Sequence, residues 1–416
     1  MKRKSSALSL VLALVLVFLC SCSPKWQQGE VVIVEEDNVT IQILAGQSTS
    51  DAGSEEMIGQ VLREKFPDVD FQWTCVDWGS AFDPQMTSRF AAGKVPDILI
   101  GKAQDIPVYQ ELGALAPIDS EVCSGVDPDA LGQVTVNGEL YGLPYNTLYQ
   151  GVLYNREIFE KLDLSVPETR QELELVVTAC EEAGITPFAL HFGDTWAVGN
   201  VTMQLWMNDL FLQYPDWSEI GDFTSEPLIR DAFEQCRYMY EHSFPDALQI
   251  SQVECDRRFA QGEAAMFMTG TWMLQTLTQQ SPDTKVGIFP YPNTTGNAKL
   301  LEETNMTFMK GSTGRNAALV DEILLELRRN RTLAEEITEF TTSNSTFIGR
   351  ANTGAVLTLG DSEHYRESGR LANVRVGNTQ FPWPFQVAVA EQTARWLSGA
   401  LDMDGLLAFM AGYSSK

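Results

Sequence analysis

Histidine and cysteine, the residues most often used to bind metals, are scarce in this chain. Only three of the 416 residues are histidine, and none lies in an HExxH motif or at the spacing of metal ligands. The GxSxG, GxxxxGK[ST] and GxGxxG motifs are missing as well. The acidic segment Leu401–Leu407 is too short for a calcium loop. The sequence therefore predicts no catalytic residue, no metal and no cofactor.

The cysteines that follow the N-terminal segment are few and scattered. They are Cys75, Cys123, Cys180, Cys236 and Cys255, and no two of them form a CxxC pair. This spacing indicates neither a zinc site nor a disulfide scaffold. We expect buried thiols, with one or two disulfides as the alternative.

Basic residues are also under-represented. Lysine and arginine together number 29 against 56 aspartates and glutamates, which gives a formal net charge of −27. A surface of this charge repels nucleic acid and anionic lipid headgroups. Nucleic acid is therefore excluded as a partner, and any membrane attachment needs a lipid.

Residues 1–21 have the pattern of a lipoprotein signal peptide. A basic start precedes the apolar run Ala7–Cys20, which is shorter than the roughly 20 residues that a membrane span needs. Leu19, Ser21 and Cys22 resemble a bacterial lipobox, which implies cleavage before Cys22 and a diacylglycerol on its sulfur. Residues 22–38 would then be a tether. The alternative is an ordinary secretory signal with incidental cysteines.

The chain after the tether alternates strands and helices. Val39–Ala45 alternates like a strand, Glu55–Phe66 has the apolar face of an amphipathic helix, and Pro96–Gly101 is typical of a short strand before a glycine turn. This order predicts a mainly parallel α/β sheet. In such sheets ligands bind beyond the carboxyl ends of the strands, where the loops Gln47–Ser50 and Gly101–Asp105 lie.

A tyrosine-rich segment, LYGLPYNTLYQGVLYN, occupies residues 140–155 and carries no charge. Three explanations are open: a buried pair of strands, the wall of an active site, or a surface for an uncharged ligand rich in hydroxyl groups.

Longer helices are predicted after residue 155. Thr169 and Glu172 have the spacing of a capping box, and Gly184 is placed to end that helix. Further helical patterns cover Leu228–His242, Cys255–Gln261, Gly270–Gln280, Ala317–Arg329, Thr332–Thr342 and Gln386–Met403.

Four stretches in order resemble one known family. They are FAAGKVPDILI with LGALAPID (Phe90–Asp119), VNGELYGLPYN through PETRQEL (Val136–Leu173), EEAGITPFAL (Glu181–Leu190) and RFAQGEAAMFMTGTW (Arg258–Trp272). Their spacing is similar to that of extracellular solute-binding protein family 1, the sugar receptors of ABC importers, which include maltose-binding protein. Arg170 departs from the tryptophan that the family usually has at this packing position.

The resemblance implies a two-lobed α/β fold of the periplasmic-binding-protein type. Its domains are discontinuous, hinge strands join them, and a ligand cleft lies between the lobes. We expect lobe 1 to contain residues 39–143 and 293–345. Lobe 2 with the hinge crossings is expected to contain residues 144–292 and 346–416.

Sugar recognition calls for aromatic rings that stack on apolar faces, and for amides and carboxylates that pair with hydroxyl groups. By resemblance, Asp194, Trp196 and Trp272 match family positions that contact the sugar. Core packing is the alternative for Tyr149 and Trp272, and helix capping for Asp105 and Asp194. The candidate ligand-binding residues are Gln47, Ser48, Gln104, Asp105, Tyr145, Asn146, Tyr149, Asp194, Trp196, Gly270, Trp272 and Trp383.

The expected function is capture of a carbohydrate, an oligosaccharide, by closure of the lobes and its delivery to the permease subunits of an ABC importer. The receptor is expected to be a monomer anchored by its lipid to the outer face of the bacterial cytoplasmic membrane. The main alternative is a receptor of the same fold for a polyamine or a peptide. An enzyme acting on glycans and a structural lipoprotein are the weaker alternatives.

Overall fold

The computed structural model describes residues 39–46, 53–76, 82–214, 220, 222, 224–348, 357–374, 381 and 383–414. All of them belong to one unit, Val39–Lys416. In this part of the chain no helix is both long enough and apolar enough to cross a membrane. The predicted signal peptide and tether, with Cys22, lie outside the described residues.

Strands and helices alternate along the chain. The strands are β1 (Val39–Gly46), β2 (Val69–Val76), β3 (Ile98–Gly101), β4 (Thr135–Val136), β5 (Glu139–Leu140), β6 (Gly142–Pro144), β7 (Asn146–Asn155), β8 (Thr186–Ala189), β9 (Ala264–Gly270), β10 (Val286–Phe289), β11 (Leu300–Thr304), β12 (Thr307–Lys310), β13 (Asn344–Ser345) and β14 (Leu371–Asn373). The helices are α1 (Ser54–Lys65), α2 (Phe82–Ala91), α3 (Ile106–Glu111), α4 (Pro128–Val134), α5 (Arg156–Lys161), α6 (Arg170–Glu182), α7 (Thr195–Asn208), α8 (Leu210–Gln213), α9 (Pro227–Glu241), α10 (Gln252–Ala260), α11 (Met273–Gln280), α12 (Ala317–Arg329), α13 (Arg331–Phe340), α14 (Leu357–Glu367), α15 (Trp383–Leu397) and α16 (Met403–Ser414).

The first sheet has the strand order β2-β1-β3-β12-β6. Strand β1 pairs in parallel with β2 and β3, and β12 runs antiparallel to β3 and β6. Successive residues of β1 point to opposite faces, so Ile41 and Ile43 pack in one apolar cluster and Leu44 in another. The first half of the strand alternates, with Gln42 exposed, and from Ile43 to Gly46 all residues are buried because both faces are covered there.

The second sheet is built around β7. Its order is β14-β11-β7-β9-β8, and β10 and β13 also pair with β7. All ten residues of β7 are buried, and Val152 and Tyr154 pack in the core of this lobe. Of the three explanations for the tyrosine-rich segment, the buried strand is therefore the one observed.

The chain passes between the two sheets at three places. Tyr145 packs in the core of the first sheet and Tyr149 in that of the second, so the first crossing lies between them. The second crossing joins β11 to β12. The third lies around β13, whose Asn344 pairs with Thr147 of β7. Phe347 still packs in the first core, and the chain is in the second core again at α14, through Tyr365.

This pairing changes one predicted lobe boundary. Residues 293–345 were expected in lobe 1, but β11 (Leu300–Thr304) pairs with Thr147–Gln150 in the second sheet. The prediction is wrong for β11 because this strand runs back along β7 before it crosses. The other lobe boundaries stay a prediction.

Local sequence signals predicted one helix start correctly and missed one helix end. The capping box of Thr169 and Glu172 is present at the start of α6 and confirms that prediction. The predicted helix Gln386–Met403 is wrong, because α15 ends at Leu397 and α16 begins at Met403. Gly399 has φ of +78° between them, a conformation that favours glycine and ends a helix.

Candidate functional site

Two tryptophans meet at the carboxyl edge of the parallel strands β8 and β9. Trp196 lies in the first turn of α7, which follows β8, and Trp272 lies just after β9. Their ring centroids are 6.5 Å apart with an angle of 60° between the ring planes. Both rings are only partly buried, although they pack on the core of lobe 2. The edge thus presents two aromatic rings set at an angle.

Asp194 lies beside these rings and is held by two neighbours. Its Oδ2 atom is 3.1 Å from Nδ1 of His191 and accepts the backbone N–H of Gln252 at 2.6 Å. The hydrogen bond to His191 is the main influence that lowers the pKa of Asp194, against partial burial, and the Gln252 N–H adds to the lowering. The side chain stands at the N-cap of α7 without making a capping bond. Asp194 is therefore a fixed, partly exposed carboxylate.

His191 connects the carboxylate to the rings. Its own ring is almost fully buried and lies edge-on to Trp196, with centroids 5.0 Å apart, and to Phe267 at 5.7 Å. Because the imidazole is packed on two sides, it fixes the position of both Asp194 and Trp196.

A second acid, Asp256 of α10, lies buried near Asp194, and sequence reasoning missed it. Its side chain is 3% exposed, and its Oδ1 atom has no hydrogen-bond partner in the described part of the chain. Burial, followed by the negative charge of Asp194, raises the pKa of Asp256 to about 8. One aspartate among many carries no sequence signal for such an environment.

Gly270, the last residue of β9, leaves the room that the Trp272 ring occupies. A Cβ atom at this position would lie 2.0 Å from Cζ3 of Trp272, far inside contact distance. Glycine here allows the indole to fold back over the strand end. The close approach of this backbone to a ligand stays a prediction.

Replacing Gly270 with alanine should displace the Trp272 ring and cost about 1–3 kcal/mol of stability, as overpacking does. Near-ultraviolet circular dichroism and thermal unfolding would detect both effects. Gly360→Ala is the matched control, because nothing lies within 4 Å of its added Cβ. An unchanged spectrum in Gly270→Ala would contradict the packing argument.

Asn146 was predicted to face a ligand, but it ties the three crossings together. Its Nδ2 donates to Oγ of Ser343 at 2.9 Å and to Oγ1 of Thr341 at 3.3 Å. Its Oδ1 accepts the backbone N–H of Met306 at 2.9 Å. With the side chain 1% exposed and its donors and acceptor engaged, the prediction of ligand contact is corrected to a role in the hinge.

Tyr145 and Tyr149 are corrected in the same way, because both side chains are fully buried. The Tyr145 hydroxyl donates to the carbonyl of Leu327, and its ring packs edge-on against neighbouring phenylalanines. The Tyr149 hydroxyl accepts from Nδ2 of Asn344 at 2.9 Å and from Arg366 at 2.8 Å. Both hydroxyl groups are hydrogen-bonded inside the protein and do not face a cleft.

The remaining candidates lie at the first sheet or outside the described residues. Gln104 and Asp105 form part of a short 3-10 helix after β3, at the carboxyl edge of the first sheet, and Asp105 makes no capping bond to α3. The Oε1 atom of Gln104 is buried without a hydrogen-bond partner among the described residues. Gln47 and Ser48 lie outside the described residues, as does the side chain of Trp383.

Two buried glutamates of β11 border the crossings, and sequence reasoning missed them as well. Glu302 accepts from Arg366 at 2.6 Å, and Glu303 lies 2.8 Å from Nζ of Lys102. Adjacent acids in a strand usually indicate an exposed edge, so nothing in the pattern signals that both are buried. Each has a basic partner, so neither carboxylate is left without a counter-charge.

Comparison with known proteins identifies the family. The pattern of the bacterial extracellular solute-binding proteins matches residues 45–320. The multiple sugar-binding protein of Streptococcus mutans is 25% identical over 308 residues, which is 69% of each chain. The melibiose/raffinose/stachyose-binding protein MelE of Bacillus subtilis is 24% identical over 237 residues, about half of each chain.

Solved structures support the same assignment of fold. A chitin oligosaccharide binding protein superimposes with a TM-score of 0.78 at 19% identity, covering 91% of this chain and 98% of the other. RafE in complex with raffinose gives 0.77 at 18% identity, covering 90% and 98%. The predicted two-lobed α/β fold is confirmed. Since the family pattern matches more than half of the sequence, the chain belongs to the bacterial extracellular solute-binding proteins.

Proposed function

We propose that the chain is the receptor of an ABC importer and captures a carbohydrate, an oligosaccharide. The observation that carries the proposal is the pair of partly exposed rings, Trp196 and Trp272, beside the fixed carboxylate of Asp194. Rings of this kind stack on the apolar faces of a sugar, and a carboxylate accepts from its hydroxyl groups. The names of the relatives, which specify several sugars, support this choice of solute.

Charge at the crossings supports an uncharged solute. The buried acids Glu302 and Glu303 are paired with Arg366 and Lys102, so neither offers a free negative charge to a polyamine. Burying an unpaired charge is costly, and a neutral ligand avoids that cost. Oligosaccharides fit this balance better than polyamines or charged peptides.

Capture proceeds by closure of the two lobes about the three crossings. A ligand that contacts both lobes binds the closed form more tightly than the open one and shifts the population towards it. The receptor performs no chemistry on the ligand. It needs no metal or cofactor.

Anchoring and delivery are further parts of the proposal. A diacylglycerol on Cys22 would hold the monomer at the outer face of the cytoplasmic membrane, with residues 22–38 as tether. Two lipid-borne acyl chains anchor a protein stably, whereas one chain binds reversibly. The closed receptor would deliver its sugar to the permease subunits of the importer.

Thermal unfolding of the chain from Ser23 onward, with a panel of mono- and oligosaccharides, tests this function. A ligand at about 100 times its dissociation constant stabilises the native state by about 2.7 kcal/mol, which raises the melting temperature by several degrees. We expect one class of sugar to give this shift and Trp272→Ala to abolish it.

Trp73→Ala is the matched control, because Trp73 is also partly buried but lies on edge strand β2 of the first sheet. It should lower the starting stability and keep the response to sugar. Polyamines and short peptides complete the panel. A shift with these alone would overturn the sugar assignment and leave the receptor fold in place.

A further inference from the structure

An ion pair joins the two lobes beside the crossings. Lys102 follows β3 of the first sheet, and Glu303 belongs to β11 of the second. The Nζ atom of Lys102 lies 2.8 Å from Oε1 of Glu303, which makes an ion pair although the two groups are not aligned for a hydrogen bond. A second contact accompanies it, because the backbone N–H of Thr304 donates at 3.0 Å to Oε1 of Gln133, a residue of α4 in the first lobe.

Glu303 is fixed on its own lobe. Its other oxygen, Oε2, accepts from Nε2 of Gln150 at 2.6 Å, and Gln150 lies on the neighbouring strand β7. The residue is 2% exposed, so the carboxylate cannot turn towards solvent without moving the strand. Its charge must therefore be balanced where it stands, and the balancing cation belongs to the other lobe.

The preceding glutamate provides a contrast within the same strand. Glu302 pairs with Arg366 of α14, a helix whose Tyr365 packs in the core of the second lobe. That pair lies within one lobe and is kept at any hinge angle. The Lys102–Glu303 pair spans the hinge, and rotation that separates the lobes must break it or admit water to Glu303.

We propose that Lys102 is a positioning residue for capture, and that its ion pair with Glu303 holds the ligand-free receptor partly closed. A buried carboxylate that loses its paired cation is strongly unfavourable, so the hinge angles that keep the pair intact are favoured. The conformational claim needs only the two-lobed fold, while its consequence for ligand capture rests on the proposed function.

Partial closure raises affinity without adding any contact to the ligand. The apparent dissociation constant equals the intrinsic one divided by the fraction of receptor that is competent to bind. Each tenfold fall in the partly closed fraction therefore weakens apparent sugar affinity about tenfold.

Small-angle X-ray scattering of the ligand-free chain from Ser23 onward tests the conformational claim directly. We expect Lys102→Met and the double variant Lys102→Met/Glu303→Gln to have a larger radius of gyration than the unsubstituted protein. Lys102→Arg keeps the cation and should restore the smaller radius. Because no sugar is present, the result does not depend on the identity of the ligand.

The matched control is Lys310→Met. Nζ of Lys310 lies 2.7 Å from both carboxylate oxygens of Asp321. Lys310 is in β12 of the first sheet, and Asp321 is in α12, which packs on the core of that sheet. Removing this pair should leave the radius of gyration unchanged. Thermal unfolding of each variant checks that it folds. If Lys102→Met does not fold, the double variant, which leaves no unpaired charge at position 303, is compared alone with the unsubstituted protein.

Two results would overturn the proposal. A double variant with the radius of the unsubstituted protein would show that any expansion in Lys102→Met comes from an unpaired charge and not from loss of the bridge. Identical radii in all variants would show that the bridge does not set the hinge. Failure of the sugar panel, with expansion in Lys102→Met and in the double variant, would reject the proposed ligand and retain this inference.

Discussion

Replacing Arg170 with methionine should lower the free energy of unfolding by about 3–5 kcal/mol, the cost of removing one partner from a buried ion pair. Arg170 is 12% exposed and lies 2.5 Å from Oδ2 of Asp209 and 2.6 Å from Oδ2 of Asp231. It begins α6, Asp209 lies between α7 and α8, and Asp231 belongs to α9. The guanidinium therefore joins three parts of the second lobe.

The loss should be larger at pH 8 than at pH 5. Burial raises the pKa of Asp209 to about 6, even with Arg170 beside it. Without Arg170 the carboxyl group can take up a proton at pH 5, which removes the unpaired charge. At pH 8 taking up this proton costs more free energy, so more of the loss remains.

Urea denaturation at the two pH values measures this effect. Arg230→Met is the matched control, because the Arg230–Asp404 pair is exposed on both sides and should contribute less than about 1 kcal/mol. The double variant Arg170→Met/Asp209→Asn should recover much of the lost stability, since it leaves no unpaired acid at position 209. An Arg170→Met variant as stable as the Arg230→Met control would contradict the argument.

Arg170 also shows what a family pattern predicts and what it leaves out. The family usually has a tryptophan here, and the sequence gives no reason to expect more than altered packing. The structure instead brings two acids, 39 and 61 positions away, onto the substituted residue. The arginine that replaces the family's tryptophan is thus paired with acids that become its neighbours only in the folded chain.

Elements decided by local chemistry were predictable from the sequence. Strand β1 follows from alternation along Val39–Ala45, and the start of α6 follows from the reciprocal bonds of Thr169 and Glu172. In both cases the deciding contacts lie within a few residues of one another. Their energies are set by the chain itself before any tertiary packing.

The roles of Tyr145, Asn146 and Tyr149 were not predictable, for a physical reason. A hinge and a sugar site both need hydroxyl and amide groups with fixed partners, so the residue types are the same. Whether Asn146 meets a ligand or Ser343 depends on a strand that returns almost 200 residues later. The ion pair of Lys102 and Glu303 could not be predicted for the same reason, since 201 positions separate the two residues.

Replacing Asp256 with asparagine should stabilise the protein at pH 8.5 and have its smallest effect near pH 4. The pKa of Asp256 is about 8 in the folded chain, against an ordinary value of 3.8. The folded state therefore keeps a proton that the unfolded state releases as the pH rises above 4. Proton uptake by the folded state stabilises it fully below about pH 4, and this contribution is lost as the pH rises to 8.

Asparagine does not titrate, so the Asp256→Asn variant does not lose stability in this way as the pH rises. The difference between variant and parent should grow by up to about 1.4 kcal/mol per pH unit between pH 4 and 8, and then level off. Thermal unfolding across this range would show a melting temperature several degrees higher for the variant at pH 8.5.

Asp246→Asn is a control of opposite sign. Its hydrogen bonds to Arg258 of α10 are the main influence that lowers the pKa of Asp246, so the charged form is the one that stabilises the fold. This variant should be less stable than the parent at neutral pH. Equal pH profiles for Asp256→Asn and its parent would mean that Asp256 is solvated or has found a partner. In that case Asp256 would be ionised near Asp194, and the two carboxylates together would favour a cationic ligand over a neutral sugar.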